Sequence, residues 1–166
     1  VSGATKVQGA EGEARFTLTL DDGREAGLVV THPGPGRAHL HWTPPTEGDP
    51  VVFFRLSPQI DPSEGLYGLG EVFDHVNHRG RVRAMQIEIA ELESGYNEVH
   101  VPVPFLTGTT GWGLFTETMH PASFAMATEA DDLVQATVGL GADHAQGLIF
   151  HLFAASHPLD ITGLYY

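Results

Sequence analysis

The feature that most constrains this chain is a series of short runs in which apolar and polar residues alternate with period two, each cut off by glycine or proline. Ala14–Leu20 (ARFTLTL) alternates in this way, Asp21–Gly23 (DDG) is a tight-turn signal, and REAGLVVTH resumes the pattern, which together spell a β-hairpin. His32–Gly36 (HPGPG) is a second break, after which RAHLHWT, the punctuation PPTEGDP and the apolar run VVFFRLS extend a meander. Leu133–Gly141 and Gly147–Ala155 read as further strands, the last ended by His157 and Pro158. Twenty glycines and eleven prolines distributed among such runs favour an all-β chain, an antiparallel β-sandwich with few or no helices. Residues 1–156 are expected to form that sandwich and 157–166 to begin a linker.

At 166 residues, one hydrophobic core is the default. The chain begins at Val1 and stops on the apolar run ITGLYY, which reads as an excised piece. Its formal net charge of −13 repels phosphate backbones and anionic headgroups, so nucleic acid and membrane are poor partners, whereas a neutral polyol meets no such penalty. The absence of cysteine removes disulfides, thiolate nucleophiles and thiolate metal sites together. No run approaches the length needed to cross a bilayer as a helix, and the compartment stays open between cytoplasmic and secreted.

Between Glu71 and Glu98 the strand spacing loosens. The stretch holds Arg79, Arg81 and Arg83 and the acidic segment EIAELES, and its interleaved Val82, Met85, Ile87, Ile89 and Leu92 argue for order. Long excursions from compact sandwiches commonly carry binding function.

Tyr67–Asp74 (YGLGEVFD) resembles the YGLGE motif of the amino-terminal domain of family 31 glycoside hydrolases. About thirty residues later His100–Thr118 (HVPVPFLTGTTGWGLFTET) is similar to that family's strand pair, in which a Pro-Phe segment, here Pro104 and Phe105, precedes a turn and a Gly-aromatic-Gly strand. The likeness covers most of Val51–Phe124. On physical grounds, Gly68 and Gly70 permit positive φ or a close backbone approach, while Tyr67 and Leu69 alternate and Glu71 follows.

The resemblance implies a galactose-mutarotase-like supersandwich that packs on a (β/α)8 barrel of the same polypeptide. In that family the aspartate nucleophile and the acid/base aspartate lie on the barrel. The resemblance therefore implies no catalytic residue in this chain, no cofactor, and an inactive fragment of an α-glycoside-cleaving enzyme. It also implies a long loop that reaches over the barrel mouth, here Asn77–Asn97, with Arg81, Arg83, Gln86, Glu88, Tyr96 and Asn97 as contacts to the carbohydrate substrate, since planar polar groups and aromatic faces hold sugars. The loop departs from relatives that carry a Trp-Asn pair, having AMQIE at Ala84–Glu88. The competing reading pairs the arginines with Glu88, Glu91 and Glu93.

Asp61, Glu64, Glu71 and Asp74 surround the turn and the YGLGE strand, where solvated or capping roles are expected of them. His39 with His41, and His75 with His78 beside Asp74, are the candidate metal groupings, but neither supplies a third or fourth ligand from spacing, so no metal is expected. His100 and His151 resemble a mutarotase-type acid-base couple only in residue type. Two further function classes fit the composition: a free-standing carbohydrate-binding module with Trp42, Trp112, Tyr96 or Tyr67 as its platform, and an immunoglobulin-like spacer.

Overall fold

The computed structural model describes residues 1–86, 99–141 and 145–166, and within them the chain is a two-sheet antiparallel sandwich closed by one short helix. The expected meander is present as β1 (Gly3–Ala10), β2 (Glu13–Thr19), β3 (Glu25–Gly34) and β4 (Arg37–Thr43). The β2–β3 hairpin turns on Gly23 at φ 84°, and Asp22 accepts hydrogen bonds from both the backbone and the Nε of Arg24. Proline-rich chain then carries β5 (Phe53–Leu56) into the second sheet, because Pro44 and Pro45 stop the ladder that β4 would otherwise continue.

From there β6 (Leu66–Val72), β8 (Val99–Gly108), β9 (Trp112–Glu117) and β12 (Leu148–Ala154) complete the large sheet. The strands β7 (Arg81–Met85), β10 (Ala122–Met126) and β11 (Val134–Gly139) join β5 in the small one. The spatial orders are β1-β2-β3-β4-β12-β9-β8-β6 and β5-β11-β10-β7. Period-two patterning decides which side chains meet between them: Val134, Ala136 and Val138 of β11 and Phe124 and Met126 of β10 are buried, facing Leu106, Leu114 and Phe150 of the large sheet. Phe54 bridges the layers, its ring 4.8 Å from Trp42 and 5.2 Å from Phe150.

Residues 157–166, where a linker is expected to begin, hold the single short helix described, α1 (Pro158–Tyr165). His157 caps it, its Nδ1 accepting from the Leu159 amide at 3.2 Å, and Pro158 occupies the first turn, where a missing N–H costs nothing. The helix docks through Ile161, which is fully buried, and through Tyr165, whose ring stacks on Phe105 at 4.6 Å. Gly113 makes this possible, since a Cβ there would lie 2.6 Å from the Ile161 side chain. The Gly-aromatic-Gly strand thus has a packing reason: it opens the outer face of the large sheet to the helix.

Candidate functional site

The two motifs separated by about thirty residues in sequence are hydrogen-bonded neighbours. Tyr67 pairs with Thr107, Gly68 with Leu106, Gly70 with Pro102 and Glu71 with Val101. Between the second and third of these pairs β8 accommodates Val103, Pro104 and Phe105 opposite the single residue Leu69, so the ladder is broken by a wide bulge. Proline can sit there because the bulge asks for no ladder N–H. Gly68, Leu69 and Gly70 all have positive φ, at 111°, 63° and 88°. Glycine is obligatory at two of the three positions: a Cβ at 68 would meet the Phe105 carbonyl oxygen at 2.3 Å, and one at 70 the Val101 carbonyl oxygen at 1.9 Å. Leu69 carries the left-handed conformation because its side chain is fully buried, and Glu71 is exposed beyond it.

A buried polar network fixes this bulge. The Nε2 of His78 lies 3.0 Å from the Gly68 carbonyl oxygen, and its Nδ1 lies 3.4 Å from the Nε of Arg83. Arg83 in turn reaches the Asp74 carboxylate at 2.7 Å, and Arg81 approaches the other oxygen at 3.7 Å. These partners settle the tautomer: His78 donates from Nε2 and accepts at Nδ1, so it is neutral. Burial holds its pKa below the ordinary histidine value, helped by the Arg83 charge and opposed by the Gly68 carbonyl. Burial pushes the Asp74 carboxyl upward, but the hydrogen bond and charge of Arg83 outweigh it and leave the pKa below the usual carboxylate value.

Arg83, 3% exposed, therefore lies inside the sandwich edge rather than on a loop tip. Arg81 and Arg83 both pair with Asp74, and Arg79 bonds the carbonyl oxygens of Glu64 and Asp131. Glu88, Tyr96 and Asn97, with Glu91 and Glu93, fall outside the described residues. Gln86 is exposed at the end of β7, where it lines a cavity of about 550 Å³ with Met85, Val101, Pro102, Pro104 and Met119. Pro104 and Phe105 divide their work: the proline walls this cavity and the phenylalanine turns to the opposite face to receive α1.

Sequence reasoning passed over one anchor. Glu64, expected to be solvated or capping, is 3% exposed. Its carboxylate accepts from the indole N–H of Trp112 at 2.9 and 3.0 Å, from the Thr110 hydroxyl at 2.8 Å and from the Asp61 amide at 3.0 Å. The last contact is the capping role expected of Glu64, made across a turn, whereas its bonds to Thr110 and Trp112 join residues more than forty positions apart and leave no local signal. Through Glu64 the turn before the first motif is tied to the Trp112 strand after the second.

Of the other candidates, Trp42 is 2% exposed within the core and cannot serve as a surface platform. His39 and His41 share the outer face of the large sheet as expected, and His39 faces His151 across the strands. His100 stands five residues before Phe105 on β8, while His151 is in register with Phe115, so roughly 15 Å of strand separates the two histidines. Among the described residues no three histidine or acidic side chains converge as a metal site would require. No helix among them is long and apolar enough to cross a membrane.

Two antiparallel sheets, the larger carrying a glycine-built bulge between β6 and β8, define an all-β sandwich of the galactose mutarotase-like class. The chain belongs to the glycosyl hydrolase 31 N-terminal galactose mutarotase-like domain family, whose model matches residues 7–124. An isomaltosyltransferase of Sporosarcina globispora is 21% identical over 103 residues, which make up 62% of this chain and 9% of that protein. The cycloalternan-forming enzyme of Listeria monocytogenes, solved with a pentasaccharide substrate, superimposes with a TM-score of 0.79 at 13% identity, over 99% of this chain and 21% of that one. A family 31 sulfoquinovosidase from E. rectale superimposes with a TM-score of 0.68 at 14% identity, over 91% of this chain and 23% of that one. The chain thus spans less than a quarter of the length of each of these relatives.

Proposed function

We propose that this chain is the non-catalytic amino-terminal domain of a retaining family 31 α-glycosidase or glycosyltransferring relative, packed on a catalytic barrel of the same polypeptide. In this reading the excursion after β7 walls the sugar pocket. The observation that carries it is positional: the family match runs through both motifs and across β7, and at the end of that strand exposed Gln86 borders a cavity whose other wall is Pro104 of the second motif. Arg83 and His78 hold the strand and the bulge in place, while Arg81, Gln86, Glu88, Tyr96 and Asn97 supply the polar and aromatic contacts that a sugar needs. The names of the relatives, an isomaltosyltransferase and a cycloalternan-forming enzyme, favour an α-linked gluco-oligosaccharide as the substrate class.

The test compares the full polypeptide with this chain on aryl α-glucosides and α-xylosides. Turnover is expected from the former alone, because the carboxylate pair that glycoside cleavage needs lies elsewhere. Robust hydrolysis by the 166-residue chain overturns the reading. Gln86→Ala in the full polypeptide probes the loop, and unchanged KM and kcat over several sugars would remove Gln86 from the pocket.

A further inference from the structure

The outer face of the large sheet carries an arginine and two histidines with no role in anything described above. The chain has seven arginines, and six of them are matched. Arg15, Arg24, Arg81 and Arg83 pair with carboxylates, Arg55 bonds the Thr137 hydroxyl, and Arg79 bonds two carbonyl oxygens. Arg37 alone makes no ion pair and no side-chain hydrogen bond among the described residues, although it is half-buried and its Nε is sealed from solvent without a partner. A guanidinium so placed in a chain of net charge −13, where carboxylates are abundant, is an unmet demand for an acceptor.

Arg37 does not stand by itself. Alternation along β4 puts His39 on the same face, and His39 is in register with His151 of β12, the two rings 4.3 Å apart. Together with Phe115, Phe153 and Tyr165 these three cationic or protonatable groups line a notch of about 230 Å³ under the end of α1. Glu117 of β9, 60% exposed, meets His151 at 3.1 Å. The notch is also lined by the phenols of Tyr165 at the end of α1 and of Tyr166 just after it, and His41 follows His39 two residues on along β4.

We infer that this notch is an oxyanion site that takes a carboxylate on a short apolar stem, the carboxylate on Arg37 and the His39–His151 pair, the stem between the rings of Phe115, Phe153 and Tyr165. The planar guanidinium matches a carboxylate in geometry as well as charge, and the volume suits a group of a few heavy atoms. Burial, then the charges of His151 and Arg37, keep His39 below the ordinary histidine pKa in the empty notch, so an arriving anion favours proton uptake and binds more tightly as pH falls. The inference does not depend on the glycosidase reading, since none of these residues touches the cavity beside Gln86.

The test is an NMR titration of the imidazole C–H signals of the intact chain with propionate, with the neutral isostere propionamide, and with a capped Gly-Glu-Gly tripeptide. Propionate is expected to shift the His39 and His151 signals saturably, with binding about tenfold tighter at pH 5.5 than at pH 7.5. Arg37→Gln should weaken it by about tenfold or more, and Glu117→Gln should strengthen it by removing the competing carboxylate. Binding of propionate without the peptide supports a free small carboxylate as ligand, and binding of the peptide as well as propionate supports a carboxylate presented on a polypeptide. Propionamide binding as well as propionate, no response to any probe, or indifference to Arg37→Gln would each overturn the proposal.

Discussion

The Nε2 of His78 donates to the carbonyl oxygen of Gly68 at 3.0 Å, so one buried imidazole holds a bulge in which three consecutive residues have positive φ. Replacing His78 by leucine leaves that carbonyl without its donor and removes the acceptor from the Nε of Arg83, whose charge is buried beside it. The expected loss is about 2 kcal/mol in urea unfolding, because both hydrogen bonds of the buried imidazole are removed at once. His78→Gln, whose amide can both donate and accept, should recover part of that loss.

The same imidazole makes the fold acid-sensitive. His78 and His39 both have pKa values below the ordinary histidine value in the folded chain, in each case chiefly through burial. The unfolded chain therefore binds protons near pH 6.5 that the folded chain refuses, so this stability is complete above that pH and is lost as pH falls below it. The lowered Asp74 pKa adds a second loss in the same direction once pH falls below the unfolded carboxylate value near 3.8. Thermal melts from pH 7.5 to 5 should show a declining Tm, with a shallower decline in His78→Gln.

Much of the sandwich was legible because period-two alternation is a local signal. The β2–β3 hairpin, β11 and β12 lie where ARFTLTL-DDG-REAGLVV, LVQATVG and GLIFHLFA put them. The helix was missed although His157-Pro158 is a cap followed by a first-turn proline, because a strand-ending reading explains the same two residues and the short segment has only one fully buried side chain, Ile161, to mark its inner face. The identity of the bulge was legible in Gly68 and Gly70, but not its partner: pairing with Pro102 and Leu106 is a contact between residues more than thirty positions apart, which no local pattern encodes. The pairing of Asp74 with Arg81 and Arg83 was hidden for the same reason. It depends on the fold bringing the turn after β6 against β7, while Glu88, Glu91 and Glu93 lie outside the described residues.

Gly70 and Gly23 separate the two costs of adding a methyl group. Both have positive φ, 88° and 84°. At Gly70 a Cβ would lie 1.9 Å from a carbonyl oxygen, and at Gly23 nothing lies within 4 Å. Gly23→Ala should therefore cost only the left-handed conformation, about 1 kcal/mol. Gly70→Ala adds a backbone clash that must displace β8, and a loss of about 3 kcal/mol or more is expected. Equal chemical-denaturation midpoints for the two variants would refute the assignment of the bulge.

Glu64 is the other cross-tie, and its removal has an optical readout. Glu64→Leu strips acceptors from the Trp112 indole, the Thr110 hydroxyl and the Asp61 amide, and should cost about 2 to 4 kcal/mol. With Trp42 sealed in the core, the change in emission reports Trp112, whose spectrum should shift as its indole N–H exchanges a carboxylate for water. An unchanged spectrum together with an unchanged midpoint would remove Glu64 from this role.

Thr116 offers the opposite sign. It is fully buried on β9, between strands whose inward side chains are apolar, and its hydroxyl has no hydrogen-bond partner among the described residues. The native state therefore carries the desolvation cost of a hydroxyl without the compensating bond, and Thr116→Val, equal in shape, removes that cost. A gain of about 1 kcal/mol is expected, seen as a higher urea midpoint at unchanged m value. Thr137→Val is the control: its hydroxyl accepts from the Nε of Arg55 at 2.8 Å at an exposed position, so the same substitution there should give no gain. If Thr116→Val destabilises the chain while Thr137→Val does not, the Thr116 hydroxyl has a partner in solution, and a buried water bridging it to a neighbouring carbonyl is the arrangement that result would identify.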